Sequence, residues 1–326
     1  MDKSFIPYHL RQNKAIDRNL FIELLYMVNR YFPIRKYEYL SMGGAFLEDF
    51  KIVHAHTGIE RMISFEMDLN TFQRQKYNRP LKCVKLQNKT SADFIRDYDF
   101  PKQTIVWLDF TTPARLNSDL NDVFALMGKL DRGDVVNVTL NAHAASISIS
   151  GNIPEVERPQ RRFEHLENLI GDYMPADITS AMITNREYPS VLYKIIKLVV
   201  DRGISVSPDL FFQPLTSFVY ADGQQMLTFT GVILRRDEAK TFLTETGIRK
   251  WDLSVVDRDA PLQIKIPELS IKERMLFDSL LPKSSAERIQ RKLNYLIAVN
   301  DAESLESIEN YIRYYKQYPY FSKVVL

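Results

Sequence analysis

The sequence predicts an α/β protein whose mostly parallel sheet is covered by helices and ends in an antiparallel hairpin. Three observations carry that expectation. Short apolar segments alternate with amphipathic ones from about residue 37 to residue 205, the pattern of parallel strands joined by helical crossovers. Two longer apolar segments then flank Asp222-Gly223, a dipeptide that favours the tight turn of a hairpin. From about residue 238 strand signals give way to helical ones. The expected organisation is an N-terminal helical segment over 1–36, an α/β domain over 37–237 with an insertion or lid at 144–187, and a C-terminal helical region over 238–326.

Each element has its own signal. Leu20, Ile22, Leu24, Leu25, Met27 and Val28 give residues 19–31 an apolar helical face, and Pro33 stops it. Residues 37–42 read as the first strand. Gly43-Gly44 then turns the chain into a helix over about 46–56, with Gly58 as its cap. A strand at 61–65, a helix at 70–77 halted by Pro80, a strand at 81–86 and a short helix from Thr90 to Tyr98 follow. Residues 104–108 are the most apolar strand, which places it at the centre of the sheet. A helix at 116–130 and a strand at 134–140 complete the alternation. Residues 144–187 are polar and mostly helical, with Pro154, Pro159 and Pro175, and suit an insertion over the strand ends. An apolar helix at 191–200 ends at Gly203. The hairpin strands span about 211–220 and 226–235, and Pro214 marks an irregular start or an edge position. The remainder reads as a helix at 237–244, a linker at 249–267 and helices at 270–281, 284–299 and 304–315. Ser270 with Glu273 and Ser284 with Glu287 fit the capping box.

Composition bounds the function classes. With 45% hydrophobic and 26% charged residues in 326, the chain has a core and is not a disordered or collagen-like one. Cys83 is its one cysteine, which excludes an internal disulfide and a cysteine-based zinc knuckle. No apolar run is long enough for a membrane span, and Met1-Asp2-Lys3-Ser4 does not open a signal peptide, so a cytoplasmic protein is expected. The net charge of +2 offers no global field for nucleic acid. Residues 1–36 are locally basic: Lys3, Arg11, Lys14, Arg18, Arg30, Arg35 and Lys36 stand against Asp2, Asp17 and Glu23. That face is either solvated or a contact for a nucleic acid or protein partner. The aromatic tail from Tyr311 to Phe321, with Arg313 and Lys316, reads first as a helix end packed on the protein and second as a base-stacking surface. His54 and His56 are two apart on a predicted helix and do not share a face. No zinc-protease, esterase or phosphate-loop motif is present.

Five alternating strand–helix units followed by a hairpin differ from a dinucleotide dehydrogenase, which continues with parallel strands. Residues Tyr39 to Phe50, Met62 to Asp68 and Val106 to Phe110, in that order and spacing, resemble the O-methyltransferase family with a class I S-adenosylmethionine (SAM)-dependent methyltransferase core. Leu10 to Arg18 resembles that group's N-terminal stretch. The resemblance covers about residues 8–236 and implies a Rossmann-like class I methyltransferase fold with SAM as cofactor. The family-wide pattern of three glycines spaced by single residues is absent here.

Within that resemblance the site residues follow from position. Met42, Gly43 and Gly44 lie along the amino-acid part of SAM, where a main chain without Cβ permits close approach. Glu66, after the second strand, is placed to accept both ribose hydroxyls, while Asp68 suits the cap of the next helix. Ser91, Ala92 and Asp93 cover the adenine, or start a helix there. Asp109 and Phe110 end the central strand, where the methyl acceptor would meet the cofactor. Asp109 is the preferred base or orienting group, with His143 second, and Phe110 could stack on a planar ligand. Asp109 with Asn141 supplies too few oxygens for a hard cation, and no metal is expected. Against a SAM-dependent methyltransferase with an unidentified acceptor stands a second expectation. It is a non-catalytic nucleotide- or nucleic-acid-binding subunit of a larger assembly, such as one for antiviral defence. A nicotinamide-dependent oxidoreductase is a third and weaker one, because the hairpin ending is wrong for it.

Overall fold

Local signals of capping and alternation become a sheet with a defined point of reversal. The computed structural model describes residues 11–151 and 153–319. The readings on Asp2, Lys3, Leu10, Tyr320 and Phe321, and on the first four residues, lie outside them. The described chain divides into a unit of residues 22–219 and 224–262 and a unit of residues 11–21, 220–223 and 263–319.

The helix α1, Gln12–Val28, starts earlier than its apolar pattern suggested, because Ala15 and Ile16 extend the buried face by two turns. The larger unit then follows the expected alternation: β1 (Glu38–Ser41), α2 (Glu48–Thr57), β2 (Arg61–Phe65), α3 (Leu69–Asn78), β3 (Val84–Gln87), α4 (Ser91–Asp97), β4 (Thr104–Asp109), α5 (Leu116–Met127) and β5 (Val135–Asn141). After α6 (Arg158–Ile170) and α7 (Tyr188–Ile204) comes the hairpin of β6 (Leu210–Ala221) and β7 (Gln225–Arg235), and then α8 (Ala239–Thr246). The strands β1 to β7 lie in the order β3-β2-β1-β4-β5-β7-β6. β4 is therefore central, as its apolarity predicted, and its residues Ile105 to Leu108 are all buried. β1 to β5 are parallel, and β7 runs antiparallel to β5 with Asn141 opposite Met226.

The chain winds outward from β1 to β3 and then restarts at β4, beside β1. Loops at the carboxyl ends of β1 and β4 consequently diverge, and ligands of open α/β sheets bind at such a crevice. One apolar cluster fills the layer between the sheet and α5, α6 and α7. Gly203 does not end α7 but lies inside it. A Cβ there would sit 2.7 Å from Met127 Cβ, so this residue lets α5 and α7 pack closely. The 144–187 segment is one α-helix, α6, with short 3-10 turns on either side. Its Ile147, Leu166, Ile170, Ile178 and Ile183 belong to that same cluster, so the segment is built into the helical layer.

Residues 249–267, expected as a linker, hold a 3-10 turn at Ile248–Lys250 and a short strand, β8 (Leu262–Ile264). In the smaller unit, α9 (Ile271–Leu280) carries the predicted capping box: Glu273 N donates to Ser270 Oγ at 3.2 Å, and Ser270 N donates to Glu273 Oε2 at 2.7 Å. α10 (Ala286–Leu293) is capped by Ser285, one residue later than predicted, and stops at Asn294 in the left-handed region. α11 (Asp301–Tyr314) follows. Tyr311, Tyr314 and Tyr318 are buried, and Tyr311 meets Phe277 edge-on at 5.2 Å while its hydroxyl donates to Asp278 at 2.7 Å. These tyrosines are core residues, not a stacking surface. Arg18 is likewise buried, donating to Asp17 at 2.7 Å and to the Tyr220 hydroxyl at 3.0 Å, which removes it from any solvent-facing basic patch.

Candidate active site at the carboxyl ends of the parallel strands

The loop from β1 to α2 is built around two left-handed glycines, Gly43 with φ +74° and Gly44 with φ +52°. Their surroundings differ. A Cβ on Gly43 would lie 2.5 Å from Leu47 Cδ2 and 2.7 Å from Phe50 Cε2, whereas one on Gly44 would meet nothing within 4 Å. Gly43 thus serves the packing of the loop on its own helix, and Gly44 faces open space. Three side chains hold the loop in place. Gln75 of α3, fully buried, donates through Nε2 to the carbonyls of Met42 and Gly44, both at 2.8 Å. Ser64 of β2 donates to the Met42 carbonyl at 3.0 Å, and Asn78 donates to that of Ala45 at 3.0 Å. Gln75 and Asn78 are three apart on α3 and so share a face. Met42 takes part through its carbonyl, which is already engaged from below.

Glu66 follows β2. Its Oε1 accepts the backbone N–H of Asp68 at 2.9 Å. Burial pushes its pKa up, opposed by the backbone N–H groups of Asp68 and Met67, with the Asp68 charge adding to the rise. Asp68 caps α3 as expected, accepting from Thr71 N at 2.7 Å. The next loop is tied to this one by Asn88, whose Nδ2 donates to the Glu66 carbonyl at 2.6 Å and to that of Met67 at 3.2 Å.

At the start of α4 the cap is Thr90, whose hydroxyl accepts from Asp93 N at 3.0 Å and donates to the Asp93 carboxylate at 2.7 Å. Asp93 also pairs with Arg96 at 2.8 Å. These contacts, the Thr90 hydrogen bond first, hold its pKa below the usual carboxylate range. Ala92 is exposed. Ser91 is buried and donates to Asp122 of α5. Beside it Asp119, also buried, is 3.9 Å from Arg115. Burial pushes Asp119 up to about 7, with the Arg115 charge opposing and the Asp122 charge adding. Arg115 reaches the other way as well, donating to Met67 Sδ at 2.9 Å.

Asp109, half-buried, ends β4 opposite Thr139. Phe110 donates its N–H to the Thr139 carbonyl at 2.9 Å and turns its ring into the apolar cluster. It is a core ring and is not presented for stacking. Beyond β5, Asn141 Nδ2 donates to the Thr111 carbonyl at 3.3 Å and Asn141 Oδ1 accepts from His143 N at 3.1 Å. His143 is thus coupled to the segment after Asp109 through one side chain. His54 and His56 lie elsewhere, with His54 on the Ile59 carbonyl and His56 on the Tyr26 hydroxyl.

The switch-point topology therefore gathers Gly44, Glu66, Ala92, Asp93, Asp109 and His143 on the strand ends, loops and first turn of α4 at one end of the sheet. No isolated signal in the sequence pointed to Ser64, Gln75, Asn78 or Arg115. Gln75 and Asn78 come to share a face because α3 runs one residue past the predicted end at residue 77.

Comparisons with known proteins agree with this architecture. No curated protein matches the chain. Among solved structures it is similar to Trm1 from Pyrococcus horikoshii in complex with S-adenosyl-L-methionine, at 11% identity and a TM-score of 0.46. That match covers 68% of this chain and spans 55% of the other. It is also similar to the N-methyltransferase NodS from Bradyrhizobium japonicum, at 9% identity and a TM-score of 0.38, covering 68% of this chain and 97% of that one. A sequence-family model described as "Putative O-methyltransferase" matches residues 6–326. No described helix is long and apolar enough to cross a membrane. With nearly its whole length matched, the chain belongs to that O-methyltransferase family, a family of transferases that use S-adenosylmethionine.

Proposed function

We propose that the carboxyl-end rim binds SAM and transfers its methyl group to an acceptor oxygen next to Asp109. The observation that carries this reading is the pairing of open space at Gly44 with the half-buried carboxylate of Glu66 at the end of the neighbouring strand. A ligand can pass close to main chain at the first, and a sugar hydroxyl can donate to the second. The residues present fit the cofactor: Met42, Gly43 and Gly44 flank its amino-acid part, Glu66 takes its ribose, and Ala92 and Asp93 border its adenine. Ser91 acts from behind, holding α4 to α5 through Asp122. Phe110 supports Asp109 from the core.

SAM supplies a methyl group made electrophilic by a positively charged sulfur. The chain's own residues supply alignment, exclusion of water and a place for one proton. Asp109 takes the proton that the acceptor hydroxyl releases as its oxygen forms the new bond. In this reading residues 37–237 constitute the methyltransferase domain, 144–187 shapes the acceptor side, and 1–36 and 238–326 are accessory. No observation favours a non-catalytic subunit or a part in antiviral defence, and the acceptor itself is unidentified.

Calorimetric titration with SAM tests the first half. Wild type binds, and Glu66→Ala weakens binding at least about tenfold, the value of a charge-assisted hydrogen bond or more. Undiminished affinity in that variant would remove Glu66 from the site. Transfer of labelled methyl from SAM into a small-molecule cell extract tests the second half. Asp109→Asn should lower it about a hundredfold or more, as loss of a general base does.

A further inference from the structure

β5 and β7 pair antiparallel with Asn141 opposite Met226, and the Ala142 N–H donates to the Gln225 carbonyl at 2.8 Å. One step further along the same register brings Gln224 to His143. Gln224 Nε2 lies 3.4 Å from His143 Nδ1 and 3.4 Å from Asn141 Oδ1, and it donates to Ser146 Oγ. Ser146 Oγ is itself 3.3 Å from His143 Nδ1.

The direction of these hydrogen bonds is set from the outer end of the network. Asn141 must present its nitrogen to the Thr111 carbonyl and its oxygen to the His143 backbone N–H. That oxygen also faces Gln224, so the Gln224 amide turns its nitrogen inward. Ser146 accepts from Gln224, which leaves its own proton available for His143 Nδ1. Gln224 has two amide hydrogens, one for Ser146 and one shared between Asn141 Oδ1 and His143 Nδ1, so both groups beside Nδ1 can donate to it. In a neutral imidazole that arrangement favours a bare Nδ1 and the proton on Nε2.

We propose that Gln224 and Ser146 are positioning residues that hold neutral His143 as its Nε2–H tautomer, so that His143 meets the methyl acceptor as a hydrogen-bond donor and not as a proton-accepting base. This rests on the methyl-transfer reading of the rim. Under it the acceptor's hydroxyl proton passes to Asp109, the acceptor oxygen forms the bond to the methyl carbon as the methyl–sulfur bond breaks and leaves its electron pair on sulfur, and His143 Nε2–H bonds that oxygen without gaining or losing a proton.

Long-range ¹H–¹⁵N NMR on the full chain with ¹⁵N-labelled histidine, near about pH 8.5 where an ordinary imidazole is neutral, reads the tautomer directly. His143 is assigned by its disappearance in His143→Gln. Wild type should show a bare Nδ1 and a protonated Nε2, and Gln224→Leu, at an exposed residue, should shift the ring toward a mixture. Ser146→Ala combined with Gln224→Leu should shift it further. A wild-type proton on Nδ1, or an unmoved tautomer in both variants, overturns the proposal. Methyl transfer supplies the second arm. His143→Ala should cost about tenfold or less, the loss of one neutral hydrogen bond, whereas a loss matching that of Asp109→Asn would make His143 the base. Absence of methyl transfer by wild type would defeat the proposed function instead, and the NMR result would still decide the positioning role.

Discussion

A methyl group added at residue 43 and one added at residue 44 would meet different surroundings. At Gly43 it would collide with Leu47 and Phe50, and the left-handed backbone adds its own strain. At Gly44 there is only the strain, about 1–2 kcal/mol for a residue with Cβ. Gly43→Ala should therefore lower unfolding free energy by several kcal/mol in a urea titration, about 3 or more. Gly44→Ala should lower it by only about 1–2 kcal/mol while weakening SAM binding at least as much as Glu66→Ala. Equal stability losses with unchanged binding at 44 would mean that no ligand passes there. Glu66 is the complementary case. Its burial raises the cost of the carboxylate, and the backbone N–H groups of Asp68 and Met67 offset part of that cost.

At the scale of elements, α3 matters less for its own stability than for what it holds. Its N-cap, Asp68, immediately follows the Glu66–Met67 segment, and Gln75 on its inner face fastens the glycine loop. Replacing Gln75 by Leu would leave the Gly44 carbonyl without its side-chain donor. The expected cost is about 1–3 kcal/mol, that of an unsatisfied buried acceptor. Because the loop is then held only by Ser64 and Asn78, SAM affinity should fall as well, although residue 75 lies behind the loop. A variant with reduced stability and wild-type affinity would show that the loop keeps its shape unaided. α4 and α5 form a second such pair, joined through Ser91 and Asp122, with Arg115 extending from the start of α5 to Met67. The strand ends are thus cross-braced by helices that the sheet order brings together.

For the whole molecule, buried carboxyls set how stability responds to pH. Asp119 and Asp134 are both pushed up to about 7, in each case chiefly by burial. In the unfolded chain such groups release their protons near about pH 4. Between about pH 4 and 7 the unfolded state therefore loses protons that the folded state retains, and folding weakens as pH rises through that window before levelling off. Asp119→Asn removes one contributor. Its stability should fall less between pH 5 and pH 7 than that of wild type, so the variant gains on wild type as pH rises. Parallel stability curves for the two proteins would show that Asp119 titrates as an ordinary carboxyl. Asp134 contrasts with it, since its two oxygens accept backbone N–H groups of Thr104 and Asp131 at 2.7 and 2.8 Å and its replacement would also break those bonds.

The order of strands and helices, the central place of β4, the left-handed cap at Gly58 and the capping box at Ser270 were legible from the residues alone. Each depends on neighbours within a few positions: a period, a turn dipeptide, a cap. The candidate residues Gly44, Glu66, Asp109 and His143 were legible for the same reason, because each falls at the end of a strand. Which glycine packs and which faces open space, why Phe110 and Arg18 are buried, and how Gln75, Ser146 and Gln224 enter the site were settled only by the tertiary structure. Some of those outcomes turn on side-chain directions within one loop, as at Gly43 with Leu47 and Phe50, and the others on contacts such as Gln75 with Met42, Gln224 with His143 and Arg18 with Tyr220, which strand order and register, encoded by no local pattern, bring together.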